Sequence, residues 1–429
     1  MSNPQTAPFY LGLNTPGILP DQNVSRTGYR EAELAGYKAE SFKTTGAVYY
    51  NLTEKVQAIA EATWGKGSTM YTGSDRYSLS NFSIGQYKLE LKGEQFFIRG
   101  YTTRERSGES YVTSILGSYL NESAKPSQQW FPEYIGNFIG ARLKTGVSEE
   151  EAHAAARAAA DQGRLIPGSP EFQSAKEAIQ SNTISSGKGA RFNDKTNLYH
   201  YEGFYDLTRT LHNTVELQVG SSYRIYQLRS AGTIFDDLNR ILNTSELGAY
   251  AVAGKRFFGD RLKLTLAGRY DKNENFEGRF TPRITSVYRI SPGHHLRMSY
   301  QTGYRNPTNQ NQYLDLAAGG GSFRMIGGLP EMLNKYDLYN NKPFTNGSYQ
   351  RFQASASAGS PDPTLLRTYD FDRRGVLPES VHAFEIGDKV LITPDLLLDT
   401  YIYYSVYHNF ISETSVYQRK GDIFTAYNV

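Results

Sequence analysis

The amino-acid sequence predicts an all-β fold, an antiparallel transmembrane β-barrel seen in part, and the clearest signal lies at residues 261–306. Apolar residues of one parity alternate there with polar residues of the other, which is the period of a strand with two different faces. The first strand sets Leu262, Leu264, Leu266 and Tyr270 against Arg261, Lys263, Thr265, Arg269 and Asp271. Two further strands repeat the alternation, joined by the turn Ser291-Pro292-Gly293. The three strands are therefore predicted to form an antiparallel meander.

The length of these strands favours a membrane protein. Each two-faced run matches the ~9–11 residues that a tilted strand needs to cross a bilayer, and it exceeds the about five or six residues typical of soluble sheets. The polar face carries charged residues, arginine among them, in every strand of the meander. Charge suits a water-filled lumen better than a packed core. A large soluble β-protein with one solvated face is the alternative on pattern alone.

The composition agrees with a β-protein at a membrane surface. The chain has 33 Tyr and 22 Phe but a mean hydropathy of only −0.54, and tyrosine suits a lipid headgroup boundary where the hydroxyl stays wet. A net charge of +3 is too near balance to indicate nucleic acid as a partner. Cysteine is absent, which excludes disulfides and thiolate sites. No apolar run approaches the ~18 residues of a transmembrane helix, so any membrane span must be β.

The chain divides into an irregular lead-in at 1–40 and a predicted barrel segment at 41–429. About thirteen strands are predicted in that segment, the last from Val416 to Tyr427, with short turns alternating with longer loops. The longest loops, at about 107–195 and 307–376, are expected outside the cell, and a polar loop is expected at 65–81.

The odd number of strands carries a further expectation. A bacterial barrel of one chain needs an even number, closed so that no backbone group is left unpaired in hydrocarbon. We therefore expect two unpaired edges in this chain, one at the strand near Phe42 and the other at the strand near Tyr427.

Two short helices are predicted inside the loop at 107–195. Ser148, with Glu151 three residues later, forms a capping box ahead of an alanine-rich run. Pro170 follows Ser169 at a first helical position and opens a second helix. These helices are interpreted as part of a folded loop.

The sequence shows no catalytic or metal-binding pattern, and we expect no enzyme activity and no cofactor. His294 and His295 are the only adjacent pair among the seven histidines. Neighbouring residues of a strand point to opposite faces, so these two cannot share a metal ion. No nucleophile motif appears, and no paired carboxylates stand in a recognisable frame.

Two patterns in the loops are even weaker indications of a binding site. Asp370 and Asp372 lack the glycine and glutamate of a calcium-binding loop, and a surface salt-bridge cluster with Arg373 and Arg374 is expected instead. The segment AAGGGS at 317–322 resembles a phosphate loop in composition only, because no strand, lysine or helix start frames it.

Seven segments, at the spacings they have here, together resemble a known family. They are YTGSDRYSLSNF, FFIRGYTTRERSGESY, KTNLYHYEG, AGTIFDD, LKLTLAGRYDKNENFEGRFTPRI, MSYQTGYRNPTNQNQYLDL and LPESVHAFEIGDK. The combination is similar to the barrel of a TonB-dependent outer-membrane receptor of the Bacteroidota type. The resemblance covers nearly the whole chain from about Ser41.

The resemblance implies a barrel of about 22 strands filled by an N-terminal plug, with energy delivered by TonB to a TonB box ahead of the plug. This sequence departs from the pattern at both ends. It has no plug, TonB box or signal peptide before the predicted barrel, and it ends at Asn428-Val429 without a terminal aromatic strand. The sequence is therefore interpreted as an incomplete barrel, a fragment or a truncated gene.

The function that follows from the resemblance is TonB-dependent uptake of a scarce nutrient, such as a metal chelate, glycan, peptide or vitamin, across the outer membrane of a Gram-negative cell. The expected partners are outer-membrane lipid, the TonB complex, the nutrient and a surface lipoprotein, and no nucleic acid. A passive porin and a barrel-type surface enzyme are the alternatives. Individual ligand-binding residues are not predicted, although the polar long loops and the lumen face are the candidate regions.

Overall fold

The computed structural model describes residues 19–20, 22–73, 75–144, 146–318, 323–421 and 423–429, and most of them are in strands. The strands are β1 (Glu40–Thr53), β2 (Val56–Thr72), β3 (Arg76–Gly93), β4 (Phe96–Arg106), β5 (Tyr111–Val112), β6 (Asn197–Asp206), β7 (Glu216–Leu228), β8 (Leu242–Phe257), β9 (Leu262–Asn273), β10 (Arg279–Ser291), β11 (His294–Arg305), β12 (Asp315–Ala318), β13 (Phe323–Ile326), β14 (Phe344–Thr345), β15 (Glu379–Thr393), β16 (Leu396–His408), β17 (Ser415–Lys420) and β18 (Ile423–Asn428). They form two separate sheets.

The larger sheet has 13 strands in the described part of the chain. Its order is β1-β2-β3-β4-β6-β7-β8-β9-β10-β11-β15-β16, with β5 paired to β3, and every neighbouring pair along this path is antiparallel. Strands that follow one another in sequence therefore lie side by side, as the meander predicts. The long connections, from β4 to β6, from β7 to β8 and from β11 to β15, lie at one end of the sheet, here named the loop end, and the opposite end, which has only turns and shorter connections, is named the turn end.

The register separates the residues of the sheet into two faces. Ile284 lies opposite both Leu266 and Tyr300, and Arg283 lies opposite both Ala267 and Gln301. Residues in register share a face, so the apolar and the polar sets of neighbouring strands stay on opposite sides. We name them the apolar face and the charged face. The predicted alternation at 261–306 is confirmed.

The apolar face is exposed in this chain, unlike the inner face of a soluble sheet. Leu266 is 47% exposed, Ile284 45%, Met298 47% and Ile402 76%, all in mid-strand. An apolar band of this size on a water-soluble protein would be an aggregation hazard. An outward-facing apolar band is what a transmembrane β-barrel requires.

The two ends of the larger sheet are β1 and β16, and within the described residues no strand pairs with their outer sides. The edge expected near Phe42 is confirmed. The edge expected near Tyr427 is wrong, because β16 holds that position.

The smaller sheet explains the error. Its order is β12-β13-β18-β17-β14, so the predicted last strand is a hairpin, β17 and β18, that pairs with residues about 100 positions earlier in the chain. The packed residues Leu333, Leu338, Val416 and Tyr427 form its core. This sheet, named here the cap sheet, belongs to the loop end and adds no strand to the wall.

The long connections at the loop end are folded. The helices are α1 (Glu31–Leu34), α2 (Thr113–Ala124), α3 (Ser127–Arg142), α4 (Glu149–Ala160), α5 (Pro170–Ser181), α6 (Asn309–Tyr313), α7 (Pro330–Lys335) and α8 (Asn346–Ser357). The two predicted helices are confirmed as α4 and α5: the Ser148 side chain accepts from the Glu151 amide, and Ser169 caps the helix that Pro170 opens. In the same loop α2 and α3 are additional, as are α1, α6, α7 and α8 elsewhere in the described chain. Trp130, Tyr134 and Phe138, spaced four apart and buried, were the sequence signal for α3.

The polar loop expected at 65–81 is wrong, because β2 and β3 continue through most of it. Met70 pairs with Ser78 and Tyr71 with Tyr77, and the pairing of the two strands extends as far as Thr72 with Arg76. A polar composition does not end a strand that has left the hydrocarbon, since water can solvate both of its faces.

Among the described residues, no helix is both long enough and apolar enough to cross a membrane.

We predict opposite costs for a charge placed on the two faces of β9. Leu266→Arg puts a guanidinium on the apolar face and should lower the free energy of unfolding in lipid by about 2–4 kcal/mol. Thr265→Arg, its neighbour on the charged face, should change it by only about 0–1 kcal/mol, because the lumen is wet. Reversible urea unfolding of the protein in lipid vesicles measures both values. Equal costs would contradict the assignment of the faces.

Candidate functional site

A cavity of about 620 Å³ opens on the charged face at the loop end of the sheet. Strands β7 to β11 form its wall, and residues 306–312 lie at its upper side. The charged and polar side chains that line it are Ser222, Arg224, Tyr226, Glu246, Arg269, Asp271, Thr281, Tyr304, Asn306, Thr308, Asn309 and Gln312. Its volume is in the range of small-molecule sites, and its lining is far more polar than most of them.

The cavity wall contains a two-point ion pair of Arg269 with Asp271. The two residues stand two apart on β9, so their side chains lie on the same face. Arg269 Nε donates to Asp271 Oδ2 at 2.7 Å, and Arg269 Nη2 donates to Oδ1 at 2.6 Å. This two-point contact fixes the plane of the guanidinium. The Arg269 guanidinium also lies 5.8 Å from the ring centre of Tyr250.

A glycine on the neighbouring strand makes room for this pair. Gly248 lies opposite Asp271 in the register of β8 and β9. A Cβ atom on Gly248 would lie 2.2 Å from Arg269 Nη2 and 2.5 Å from Asp271 Oδ1. These distances are far below van der Waals contact, so a side chain at residue 248 would displace the pair from its present position.

A second ion pair lies beside the first. Arg224 Nε is 3.6 Å from Glu246 Oε2. The other carboxylate oxygen of Glu246 accepts from Asn273 Nδ2 at 2.9 Å and from Asn306 Nδ2 at 3.3 Å. The cavity therefore holds two arginines and two carboxylates and has no net charge, while offering both donors and acceptors.

The segment above the cavity is held to the wall by polar contacts. Asn275 Nδ2 donates to Gln312 Oε1 at 2.6 Å and to the Tyr313 hydroxyl at 2.6 Å. Gln312 is 2% exposed, and its Nε2 donates to the Pro307 carbonyl at 2.7 Å. The segment is thus bound to the tip of the loop between β9 and β10.

Behind this segment, an ionic cluster ties the cap sheet to the loop between β7 and β8. The buried carboxylate of Asp315 accepts from Lys335 Nζ at 2.6 Å and from the Tyr336 hydroxyl at 2.5 Å, and it also pairs with Arg324. Lys335 also bonds Asp236 in the loop. Burial alone would raise the pKa of Asp315, but the bonds from Lys335, Tyr336 and Arg324 outweigh it and hold that pKa below its usual value. The cluster is therefore charged at neutral pH.

Further ion pairs line the charged face below the cavity. Arg99 pairs with Glu202 at 2.6 Å, Lys88 with Glu61 at 2.9 Å, and Lys263 with Glu216 at 2.7 Å. Each joins different strands of the sheet. A face lined by paired charges is suited to water and polar surfaces, and not to a hydrocarbon core.

The residues weighed from the sequence lie away from this cavity. His294 bonds Asp388 at 2.8 Å on the apolar face, and the register places His295 on the opposite face, as expected. Within the described residues, no group of three or more His, Asp or Glu side chains could hold a metal ion.

Asp370 and Asp372, in the second long loop, form salt bridges, as expected. Of the two expected partners, Arg373 and Arg374, only Arg374 takes part. Asp372 pairs with Arg374 at 2.7 Å, and hydrogen bonds from Arg374 lower the pKa of Asp372 to about 2. Asp370 instead pairs with Lys342, and Arg373 lies 4.8 Å from the ring centre of Tyr339. Of the segment AAGGGS, residues 319–322 lie outside the described residues.

The fold and the cavity together define a class of protein. A wide antiparallel sheet with an apolar and a charged face, whose long connections fold over a polar cavity at one end, is the wall of a large outer-membrane-type β-barrel. The comparison with family models makes this specific: residues 159–429 match the family "TonB dependent receptor-like, beta-barrel". The chain belongs to that family.

Solved structures with a similar fold include three receptors. A mutant of the ferric enterobactin receptor PfeA of Pseudomonas aeruginosa is 13% identical at a TM-score of 0.50, over 94% of this chain and 48% of that one. The siderophore receptor PirA of Pseudomonas aeruginosa is 10% identical at 0.49, over 91% and 50%. The hemophore receptor HasR of Serratia marcescens, in complex with its hemophore HasA and heme, is 10% identical at 0.48, over 91% and 49%.

The present chain spans about half the length of these receptors. At such low identity, the likeness to PfeA supports the fold alone. Among curated proteins, no sequence matches the chain significantly.

We predict that a methyl group at position 248 disturbs the cavity. Gly248→Ala would drive its Cβ into Arg269 and Asp271, and we expect it to lower the free energy of unfolding by about 1–3 kcal/mol through overpacking and a weakened ion pair. Gly203→Ala on β6 is the matched control, because nothing lies within 4 Å of the Cβ it would add. Urea unfolding of both variants in vesicles measures the difference. A Gly248→Ala variant as stable as Gly203→Ala would show that the pair needs no glycine.

Proposed function

We propose that this chain forms part of the wall of an outer-membrane receptor that takes up a scarce nutrient with energy supplied through TonB. The single observation that carries the proposal is the polar cavity built by β7 to β11 and the folded loops at one end of a two-faced membrane wall. Such a cavity lies where a ligand arriving from outside the cell would first meet the barrel. Membership of the TonB-dependent receptor family supports the same function.

The chemistry of the cavity favours a polar ligand. Arg224 and Arg269 can donate to carboxylate, phosphate or hydroxyl oxygens of a ligand, and Glu246 and Asp271 can accept from its donors. Because the four charges balance one another, the empty cavity contains no uncompensated charge. Selectivity would then come from the positions of donors and acceptors and not from attraction by net charge.

The proposed function also sets the orientation of the chain in the outer membrane. The apolar face contacts outer-membrane lipid, the loop end faces the outside of a Gram-negative cell, and the turn end faces the periplasm. The charged face encloses a plug domain in the complete receptor, and TonB acts on a TonB box ahead of that plug. A surface lipoprotein that covers the loop end is a further partner, and the Bacteroidota type of receptor is the subfamily we favour.

The nutrient belongs to one of four classes: a metal chelate, a glycan, a peptide or a vitamin. The solved receptor PfeA, whose fold is similar, is described as a receptor for ferric enterobactin. An iron chelate of that kind is therefore the first compound to test, with heme, short peptides, oligosaccharides and cobalamin beside it.

The test measures uptake in cells that carry the complete receptor and no other receptor for the compound. We expect one compound of this panel to enter only with the receptor, and its uptake to stop when a protonophore collapses the membrane potential. Arg269→Ala should reduce that uptake at low compound concentration, whereas Lys389→Ala, near the turn end of β15, should leave it unchanged. Uptake that continues with the protonophore would identify a passive porin, and conversion of the compound at the cell surface would identify a barrel-type enzyme.

A further inference from the structure

The apolar face carries different charges at its two ends. At the loop end, its strands hold Lys66, Arg104, Arg106 and Lys272, with the acidic residue Glu40 beside Lys66, and Arg76 at the tip of β3 is paired with Glu31. At the turn end the signs are mixed, with Lys255 close to Phe257 and Asp388 paired with His294. The described strands carry no charge on this face between the two ends.

Two of the four cations are engaged by neutral oxygens. Arg106 donates to the Thr196 carbonyl and to Asn197 Oδ1, and Lys272 Nζ donates to the Phe276 carbonyl at 2.6 Å. The other two, Lys66 and Arg104, are exposed, and among the described residues no carboxylate lies within ion-pair distance of either. The charges of Lys66 and Arg104 are therefore available to a ligand.

The surroundings of Lys66 and Arg104 form a shallow trough. Register places Lys66 opposite Ser83, and Arg104 opposite Gly85, so two small residues of β3 separate the two cations. Two strand spacings and a two-residue offset put their Cα atoms about 12 Å apart. A cleft of about 320 Å³ adjoins Lys66, lined in part by Phe42 and Trp64.

Aromatic side chains mark the level of this trough in the membrane. Trp64 shares the row of Arg104, and Tyr87 lies two residues nearer the turn end. Both rings are on the apolar face, 36% and 43% exposed. The Arg104 guanidinium lies 5.8 Å from the ring centre of Tyr87. Tryptophan and tyrosine concentrate where hydrocarbon meets headgroups, so the two cations lie at headgroup level.

We propose that Lys66 and Arg104 bind the phosphate groups of an anionic glycolipid in the outer leaflet of the membrane. Arginine matches a phosphate with two parallel N–H donors, and lysine adds a compact charge to a second phosphate or to another oxygen of the headgroup. A soluble anion would leave the neighbouring aromatic and apolar surface unused, whereas a lipid covers it with its acyl chains. The inference rests on the orientation of the apolar face proposed above and is independent of the nutrient.

The negative charge of Glu40 weakens the proposed lipid site but does not abolish it. This carboxylate lines the same cleft as Lys66, but its Oε2 is already 2.7 Å from Lys38 Nζ. Removal of its charge should therefore strengthen lipid binding modestly and not create it.

The experiment counts glycolipid molecules retained by the complete receptor after extraction in mild detergent, by native mass spectrometry. The receptor is first reconstituted with phosphatidylcholine and a small fraction of the phosphorylated outer-membrane glycolipid. We expect Lys66→Gln with Arg104→Gln to lower the retained glycolipid about tenfold. The matched control, Lys55→Gln with Lys255→Gln, removes the same charge at the turn end and should retain as much as the unmodified receptor.

Further arms separate the sources of phosphate and guard against misfolding. Glycolipid treated with phosphatase should be retained about tenfold less by the unmodified receptor, and free inorganic phosphate should not displace the intact glycolipid. Ser83→Glu, which places a carboxylate between the cations, should reduce retention as the double variant does. Each variant is compared by the heat-modifiable shift of the folded barrel, and Arg104→Lys serves if the double variant does not fold.

Equal retention by the double variant and its control would overturn the proposal. Equal retention of the dephosphorylated glycolipid, or its displacement by inorganic phosphate, would do the same. Because retention is measured without any nutrient, a failure here leaves the uptake function standing, and a failure of uptake leaves this result standing.

Discussion

The constraint on which the rest of this structure depends is that a backbone inside hydrocarbon must pair all of its N–H and C=O groups within the protein. The long strands between β1 and β16 meet it by antiparallel pairing, whereas among the described residues no strand pairs with the outer sides of β1 and β16 themselves. Once the backbone is paired in this way, the side chains can only alternate between two faces. One face can then be apolar and the other charged, and both are continuous across the sheet because the register is continuous.

The charged face shows how a barrel wall can hold many ionisable groups near a membrane. Its charges occur as pairs between strands, as for Arg99 with Glu202 and Lys263 with Glu216, so that few are left uncompensated. The cavity at the loop end adds a charge pair within one strand, Arg269 with Asp271 on β9. The folded loops supply the upper side of the cavity, and the cluster at Asp315 joins them to the cap sheet. The polar cavity therefore lies where the wall leaves the membrane and becomes exposed to water.

Much of the wall was predictable because its signal is local. The alternation of Leu262, Leu264 and Leu266 with Lys263 and Thr265 gives both the strand and its faces. The cap sheet was not predictable, because β13 pairs with β18 across about 100 residues and no local pattern encodes such a contact. The cavity was predictable only as a region.

Each residue of the cavity looks like any other polar residue of its strand. Arg224, Glu246 and Asp271 share the parity of the charged face and stand near the loop ends of their strands. That position was the available signal. They differ from other polar residues because they meet in one place although they come from three strands. Gly248 differs from other glycines because its missing side chain leaves space for Arg269. Both features depend on register and become visible only in three dimensions.

The central claim, that one face of this sheet contacts lipid and the other lines a wet lumen, is tested most directly by a cysteine scan of β9. The chain contains no cysteine, so each substituted position from Leu262 to Asn273 supplies the only thiol of this segment. In the complete receptor in vesicles, a polar maleimide should label odd positions such as 265 and 267, whereas a thiol-attached fluorophore should be quenched by brominated lipid at even positions such as 264 and 266. Labelling and quenching that alternate with a period of two, and in opposite phase, are the result this account predicts. Uniform labelling along the strand, with no quenching by lipid at any position, would contradict it.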